Sequence, residues 1–400
     1  MPNNEVIFTM DASSIKFGPG ATREVGEDMR SLGARRVMVV TDPQLAQLEP
    51  VATTLESLRA ADVDGVLFDQ ARVEPTDGSF KEAIRFATDG AFDGYVAVGG
   101  GSSMDTAKAA NLYATYPADF LAYVNPPVGR GETVPGRLKP LIAVPTTAGT
   151  GSETTGVAIF DLVEMHAKTG IAHRALRPAM GIVDPNNSRE LAPMIAACSG
   201  FDVLSHAIES YTALPYNQRP APERPRQRPA YQGSNPISDI WAERTIGMVA
   251  RYLVRSVTDA SDQEARTQMM LAATFAGIGF GNAGVHLPHG MSVILNAPSV
   301  FRWTAEANPE RHLQAAAWLG ANTGGARPQD AGEVLAGALI NLMRQTGMPN
   351  GLRAVGFDED DIAELVTGTL PQHRVTKLAP RPASPEDLRH LFLGALSYWE

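Results

Sequence analysis

The sequence predicts an α/β N-terminal domain built on a parallel sheet, followed by an all-α C-terminal domain. Three observations predict it. Short β-branched runs alternate with amphipathic helical stretches through the first half, the pattern that right-handed βαβ crossovers leave in a sequence. From about Pro185 onward the apolar spacing becomes mostly helical. At 400 residues the chain is also too long for one ordinary core, because domains usually run to about 100–200 residues.

Taken in order, the first strand reads RVMVVTD (Arg36 to Asp42), a helix follows near Val51 to Ala61, and VDGVLFD (Val63 to Asp69) is the next strand. A second helix near Phe80 to Thr88 leads to the strand GYVAVGG (Gly94 to Gly100), and LIAV (Leu141 to Val144) is a further apolar strand. In the back half, PMIAACSGFDVLSHAIESY (Pro193 to Tyr211), QMMLAATFAGIGF (Gln268 to Phe280) and EVLAGALINLMRQTG (Glu333 to Gly347) carry helical spacing. Pro185 interrupts the chain and Asn187 or Ser188 can cap the next helix, which places the domains at 1–186 and 187–400. A Pro/Arg-rich insertion at 213–236 breaks the helical half. Proline has no amide donor and clashes with the preceding turn, so this segment is a loop.

Composition narrows the function. With 44% hydrophobic and 20% charged residues the chain reads as a globular enzyme. A formal net charge of -10 disfavours nucleic acid and leaves a small molecule as the expected partner. The single cysteine, Cys198, excludes an intrachain disulfide framework and a cysteine zinc cluster. No stretch approaches the roughly 18–20 apolar residues of a membrane helix. The start is neither Arg-rich nor signal-like, so a cytoplasmic setting is expected.

Four segments carry chemistry. GGGSSMDTAK (Gly99 to Lys108) stands where a strand ends and a helix begins. Glycines there let backbone approach a phosphate, and the helix presents unpaired amides and its positive dipole end. An unoccupied glycine turn is the plainer reading of such a triplet alone. Asp42, at a strand end, can accept hydrogen bonds from an adenosine ribose and would repel a 2'-phosphate, favouring NAD over NADP; a solvated turn aspartate fits the spacing equally. PTTAGTGSE (Pro145 to Glu153) offers hydroxyls and amides to ribose and phosphate oxygens. Asp202 and His206, four residues apart in a helix, lie on one face where they can grip a divalent metal or simply bond each other. GFGNAGVHLPHGMS (Gly279 to Ser292) adds His286 and His289, of which His286 also reads as a core histidine bonded to a carbonyl.

In order, type and spacing these segments resemble the iron-containing (group III) alcohol dehydrogenases over essentially the whole chain. The resemblance implies a Rossmann-like N-terminal domain, a helical C-terminal domain of the dehydroquinate synthase-like arrangement, and a cleft between them. It implies pyrophosphate binding by Gly99, Gly100, Gly101 and Ser102 with Asp105, and cofactor contacts from Asp42, Thr146, Thr147, Thr150 and Ser152. It implies that Asp202, His206 and His289, with His286 as a conceivable substitute, hold catalytic Fe2+ or Zn2+. NAD is the implied carrier, with NADP as the alternative, and a homo-oligomer is expected.

FTMDASSIKFGPGATREVG, the Pro/Arg insertion and YQGSNPISDIW (Tyr231 to Trp241) are similar to the hydroxyacid-oxoacid transhydrogenase branch. That branch passes a hydride from 4-hydroxybutyrate to 2-oxoglutarate through a nicotinamide nucleotide. Arg219, Arg224, Arg226 and Arg228 suit carboxylate substrates, or form a solvated basic loop. The chain departs from the family at one place. PHGMSVILNAPSV (Pro288 to Val300) reads upstream as the first histidine motif of the family and downstream as the second, as though the stretch between them were deleted. Two other readings therefore stay open: an NAD-dependent alcohol dehydrogenase for a small alcohol, and a nucleotide-binding member whose chemistry is impaired by the lost histidine.

Overall fold

The computed structural model describes residues 4–165, 167–291 and 293–400. The chain forms two compact units, one of Asp11–Glu190 and one in which residues 4–10 join Leu191–Glu400.

The first unit is built on eight strands: β1 (Ser14–Phe17), β2 (Arg36–Val40), β3 (Asp64–Phe68), β4 (Gly94–Gly99), β5 (Leu141–Pro145), β6 (Val157–Leu162), β7 (Ala167–Ala172) and β8 (Met180–Val183). Six of them form a parallel sheet in the order β1-β8-β5-β4-β2-β3. Helices α1 (Val25–Ser31), α2 (Glu49–Ala60), α3 (Asp77–Gly90) and α4 (Gly101–Thr115) connect and cover it. The central strands are apolar on both faces because each face is roofed by helices. Val37, Val39, Val96, Val98, Ile142 and Val144 pack with Val25, Met29, Val51 and Leu58 of α1 and α2. Met38, Val40, Tyr95, Ala97 and Ala143 pack on the other side with Ala83, Ala87, Met104 and Ala107 of α3 and α4. This alternation along each strand is the period of two that a pleated strand imposes.

From β2 the chain moves outward to β3 and then crosses back to β4 on the other flank of β2. The order therefore reverses between β2 and β4, and in open α/β sheets ligands sit outside the carboxyl ends of the strands at such a point. Asp42 follows β2 and Gly99–Ser102 close β4, so both expected cofactor segments lie at that edge. Two features escaped the sequence. The strand before Asp42 is the second, since β1 precedes it as an added edge strand beside β8. An antiparallel pair, β6 with β7, stands apart from the main sheet. Its Phe160 and Ala158 pack against Phe80, Leu112 and Tyr113.

Gly26 marks the closest approach of α1 to α2. Its amide donates to Ser57 Oγ at 2.9 Å, and a Cβ there would lie 2.0 Å from the Ser57 carbonyl oxygen. The backbones must separate to admit any side chain. Gly26→Ala is expected to destabilise this unit by about 1–3 kcal/mol, the usual cost of overpacking, read as a lowered midpoint in urea unfolding. An unchanged midpoint would contradict the packing.

The second unit is helical: α5 (Pro193–Thr212), α6 (Pro236–Thr258), α7 (Gln263–Ala283), α8 (Leu287–Gly290), α9 (Ala297–Thr304), α10 (Pro309–Trp318), α11 (Ala331–Gln345), α12 (Ile362–Thr369), α13 (His373–Thr376) and α14 (Pro385–Leu393). Neither Asn187 nor Ser188 caps α5. Asp184 instead caps a short 3-10 turn, Pro185–Ser188, and its carboxylate also accepts from the Gly20 and Thr22 amides. The long helix starts later, with Pro193 at its first position, where the missing amide costs nothing. Helix α6 opens on Asn235, whose side chain accepts from the Ile237 and Ser238 amides.

The insertion is an ordered loop with 3-10 turns at Tyr216–Gln218 and Pro225–Gln227. Of the two readings left open for its arginines, Arg219 and Arg228 take neither, because both are engaged within the protein. Arg228 Nε donates to Glu5 Oε2 at 2.9 Å, which pins the loop to its own unit, and Arg219 Nη1 donates to the Tyr231 carbonyl at 2.5 Å, which closes the loop on itself. Arg224 is exposed, and the Arg226 side chain lies outside the described residues.

Candidate metal centre and nucleotide-binding segments

Helix α5 places Asp202, His206 and Glu209 four and seven residues apart, hence on one face. Helix α7 ends where Gly284 takes φ 94°, a left-handed value open to glycine. The short α8 follows and supplies His289. His289 Nε2 lies 3.6 Å and His206 Nε2 3.8 Å from the same Asp202 oxygen, and the three ligand atoms lie within 4.8 Å of one another.

Donors around a tetrahedral ion at about 2.1 Å stand about 3.4 Å apart. The observed spacing fits such an ion with a small closure. The donor set, two imidazoles and a carboxylate, suits Fe2+ or Zn2+. His206 is buried, stacks on Phe280 with ring centroids 3.8 Å apart, and its Nδ1 has no hydrogen-bond partner among the described residues. His286 does not join the cluster. Its Nε2 pairs with Thr212 Oγ1 at 3.0 Å and its ring stands edge-on to Phe301, so it is a core residue of the turn.

Sequence reasoning left Glu209 unassigned. It is fully buried, and its Oε1 lies 2.6 Å from His289 Nδ1. The signal was present in the sequence, since residue 209 continues the 202/206 face by one more turn.

Burial opposes charge on His289, but the Glu209 and Asp202 carboxylates outweigh it and raise the metal-free imidazole to about 9. Burial lowers His206 to about 3, against the pull of Asp202, so it is neutral at physiological pH. For Asp202 burial works against ionisation, yet the protonated His289 beside it holds its pKa below the usual value. A ligand imidazole must lose its proton before it can coordinate. Below about pH 9 the metal-free His289 carries that proton, so ion uptake should release about one proton at neutral pH and fewer as pH rises through 9. Apparent Zn2+ affinity should then rise about tenfold per pH unit from neutral toward that value. Calorimetric titration in buffers of different ionisation enthalpy measures the release, and a value near zero at neutral pH would contradict it.

In the first unit the glycine turn and the threonine loop meet. The Thr146 amide donates to the Gly99 carbonyl at 3.0 Å. A Cβ on Gly100 would lie 3.5 Å from Thr147 Oγ1, and one on Gly101 2.8 Å from Thr150 Cγ2. Gly99, at φ 153°, would place a Cβ 2.4 Å from Ser103 Oγ. Ser102 sits in the first turn of α4. Asp42 Oδ1 accepts from the Gln44 and Leu45 amides, which closes the turn after β2. Asp105 and Ser152, expected at the cofactor, are committed elsewhere. Ser152 Oγ donates to Asp105 Oδ1 at 2.7 Å, and Asp105 Oδ2 accepts from the Ile159 amide at 2.9 Å.

The family description "Iron-containing alcohol dehydrogenase" matches residues 12–185, and "Fe-containing alcohol dehydrogenase family, C-terminal" matches residues 230–396. This chain belongs to the iron-containing alcohol dehydrogenase family. It is an oxidoreductase by that membership. Mitochondrial hydroxyacid-oxoacid transhydrogenase of Mus musculus is 54% identical, covering 98% of this chain and 90% of the relative. The Homo sapiens protein of the same name is 52% identical over the same shares. Among solved structures, 1,3-propanediol oxidoreductase superposes with TM-score 0.87 at 28% identity, covering 97% of this chain and 100% of the other. An archaeal alcohol dehydrogenase from a Red Sea brine pool gives TM-score 0.87 at 26% identity, covering 98% and 100%.

The alignment to the mouse relative runs over 421 positions, whereas 98% of this chain is about 392 residues. About 29 positions therefore have no residue here, and Pro288 to Val300, where two histidine motifs read as one, is where the sequence places such a loss. The expectation of a cytoplasmic setting is corrected by the names of the transhydrogenase relatives, which are mitochondrial. A single cysteine does not tell one reducing compartment from another.

Proposed function

We propose that this chain transfers a hydride from 4-hydroxybutyrate to 2-oxoglutarate through a bound nicotinamide nucleotide, as a hydroxyacid-oxoacid transhydrogenase. The convergence of Asp202 Oδ1, His206 Nε2 and His289 Nε2 carries the reading. These three side chains would hold Fe2+ or Zn2+, with Glu209 fixing His289 from behind. Gly99, Gly100, Gly101 and Ser102 would bind the pyrophosphate of NAD at the start of α4, with Thr146, Thr147 and Thr150 lining the adjacent loop. When bound, the ion supplies Lewis acidity at the alcohol oxygen and the nicotinamide accepts and returns the hydride. Asp105 and Ser152 brace α4 against the threonine loop. Asp42 shapes the turn at the adenosine end.

4-Hydroxybutyrate loses a hydride and its hydroxyl proton to give succinic semialdehyde. 2-Oxoglutarate gains a hydride and a proton to give 2-hydroxyglutarate. The two half-reactions balance without net consumption of nucleotide. Purified holoenzyme given both substrates and no added nucleotide should form the two products in equal amounts. Absence of succinic semialdehyde would sink the reading. The likeness to 1,3-propanediol oxidoreductase favours a second one, NAD-dependent oxidation of a small alcohol. Steady NADH release from simple alcohols, without an oxoacid, would favour that version.

A further inference from the structure

Glu209 meets three N–H groups of the 286–289 turn from a single buried carboxylate. Its Oε1 lies 2.6 Å from His289 Nδ1, while Oε2 accepts from the His286 amide at 2.7 Å and the His289 amide at 3.4 Å. The side chain is wholly inaccessible to solvent, so its hydrogen bonds must come from within the protein, and these contacts provide them. We propose that Glu209 is a positioning residue that holds His289 in the Nδ1–H tautomer when Nε2 is on the ion, with Nε2 facing Asp202 and His206, and ties the 286–289 turn to α5. The inference rests on the metal-centre reading above and deepens it.

An ionised carboxylate only accepts hydrogen bonds, so the imidazole nitrogen against it must donate. Once the second ring proton leaves, the lone pair is thereby fixed on Nε2, the atom 3.6 Å from Asp202. The two backbone contacts lock the turn at the same time. With both backbone amides and the ring nitrogen held by one carboxylate of α5, His289 keeps its register against Asp202 and His206. A carboxylate–histidine–metal arrangement of this kind orients the ring and raises its basicity. An amide cannot do the same. If Gln at 209 turned its carbonyl to the backbone amides, its NH2 would donate to Nδ1 and push the proton to Nε2, away from the ion. If it turned the other way, an NH2 would face two N–H donors.

The test is Zn2+ affinity, measured on the full-length protein by chelator competition for wild type and Glu209→Gln. Circular dichroism of the metal-free forms checks that both are folded. The variant should bind Zn2+ about 10–100-fold more weakly. Affinity within threefold of wild type would overturn the role while leaving the metal centre intact. A wild type that takes up no Zn2+ would overturn the metal centre and this role with it. Should Glu209→Gln fail to fold, nitrogen NMR of Zn2+-loaded wild type labelled at histidine decides. The expected result is a hydrogen-bonded Nδ1–H on His289, assigned by its loss in His289→Gln, and a proton on Nε2 would overturn the proposal.

Discussion

His206→Ala is expected to leave the protein folded, strip it of stoichiometric metal and lower kcat by at least about a thousandfold. His206 supplies one of three convergent donor atoms, so its loss leaves one carboxylate and one imidazole to hold the ion. Two protein ligands are too few for a tight catalytic site. Burial keeps the ring neutral, near a pKa of 3, which means that its lone pair is available to an ion without a proton to displace. The removed ring leaves a void against Phe280, on which it now stacks. A role confined to packing would lower thermal stability and spare metal content. Metal content by elemental analysis, with kcat on 4-hydroxybutyrate and 2-oxoglutarate, separates the two. Equimolar metal and near-wild-type turnover in the variant would refute the site.

What the sequence made legible follows from the range of the interaction. Asp202 and His206 are neighbours along a helix, so their spacing alone puts them on one face. Glu209 shares that face, yet its importance comes from burial and from a partner 80 residues away, and no local pattern reports either. The strands β2, β4 and β5 were readable because five or six nearly all buried, mostly apolar residues run together in each. By contrast β1 carries Ser14 and Lys16 and β8 carries Gly181 within four residues each, so neither forms an unbroken apolar run. Asp105 and Ser152 sit inside motifs that suggest a ligand, but each finds the other across 47 residues of chain. The basic insertion looked free to bind acids until Arg228 met Glu5, 223 residues away. Local chemistry was visible, and long-range pairing was not.

The same limit applies to Lys108, and it leads to a second large effect. The motif GGGSSMDTAK ends on a lysine that a sequence reader would leave to solvent, yet its side chain is fully buried. Its ammonium donates to Ser152 Oγ at 2.5 Å, to the Val157 carbonyl at 2.8 Å and to Thr155 Oγ1 at 3.4 Å, with Asp105 Oδ1 at 3.5 Å. Burial lowers its pKa, while Asp105 and then Glu153 pull it back toward the charged form. Helix α4, whose first turn follows the glycine turn, is thereby fastened to the loop that carries Thr150 and Ser152. Lys108→Met keeps the length and apolar stem but removes every donor, leaving the Val157 carbonyl and the Asp105 charge short of partners. Breaking a buried pair from one side costs about 3–5 kcal/mol, which in a unit of this size lowers Tm by about 10 °C. Because the helix start and the threonine loop would no longer be held in register, NAD should also bind at least about tenfold more weakly, since 1.4 kcal/mol of lost interaction is enough. Differential scanning calorimetry and a nucleotide titration read the two effects separately. If Tm fell while nucleotide affinity held, Lys108 would be a core brace with no bearing on the cofactor segment; if neither moved, the network would not be what joins α4 to its loop.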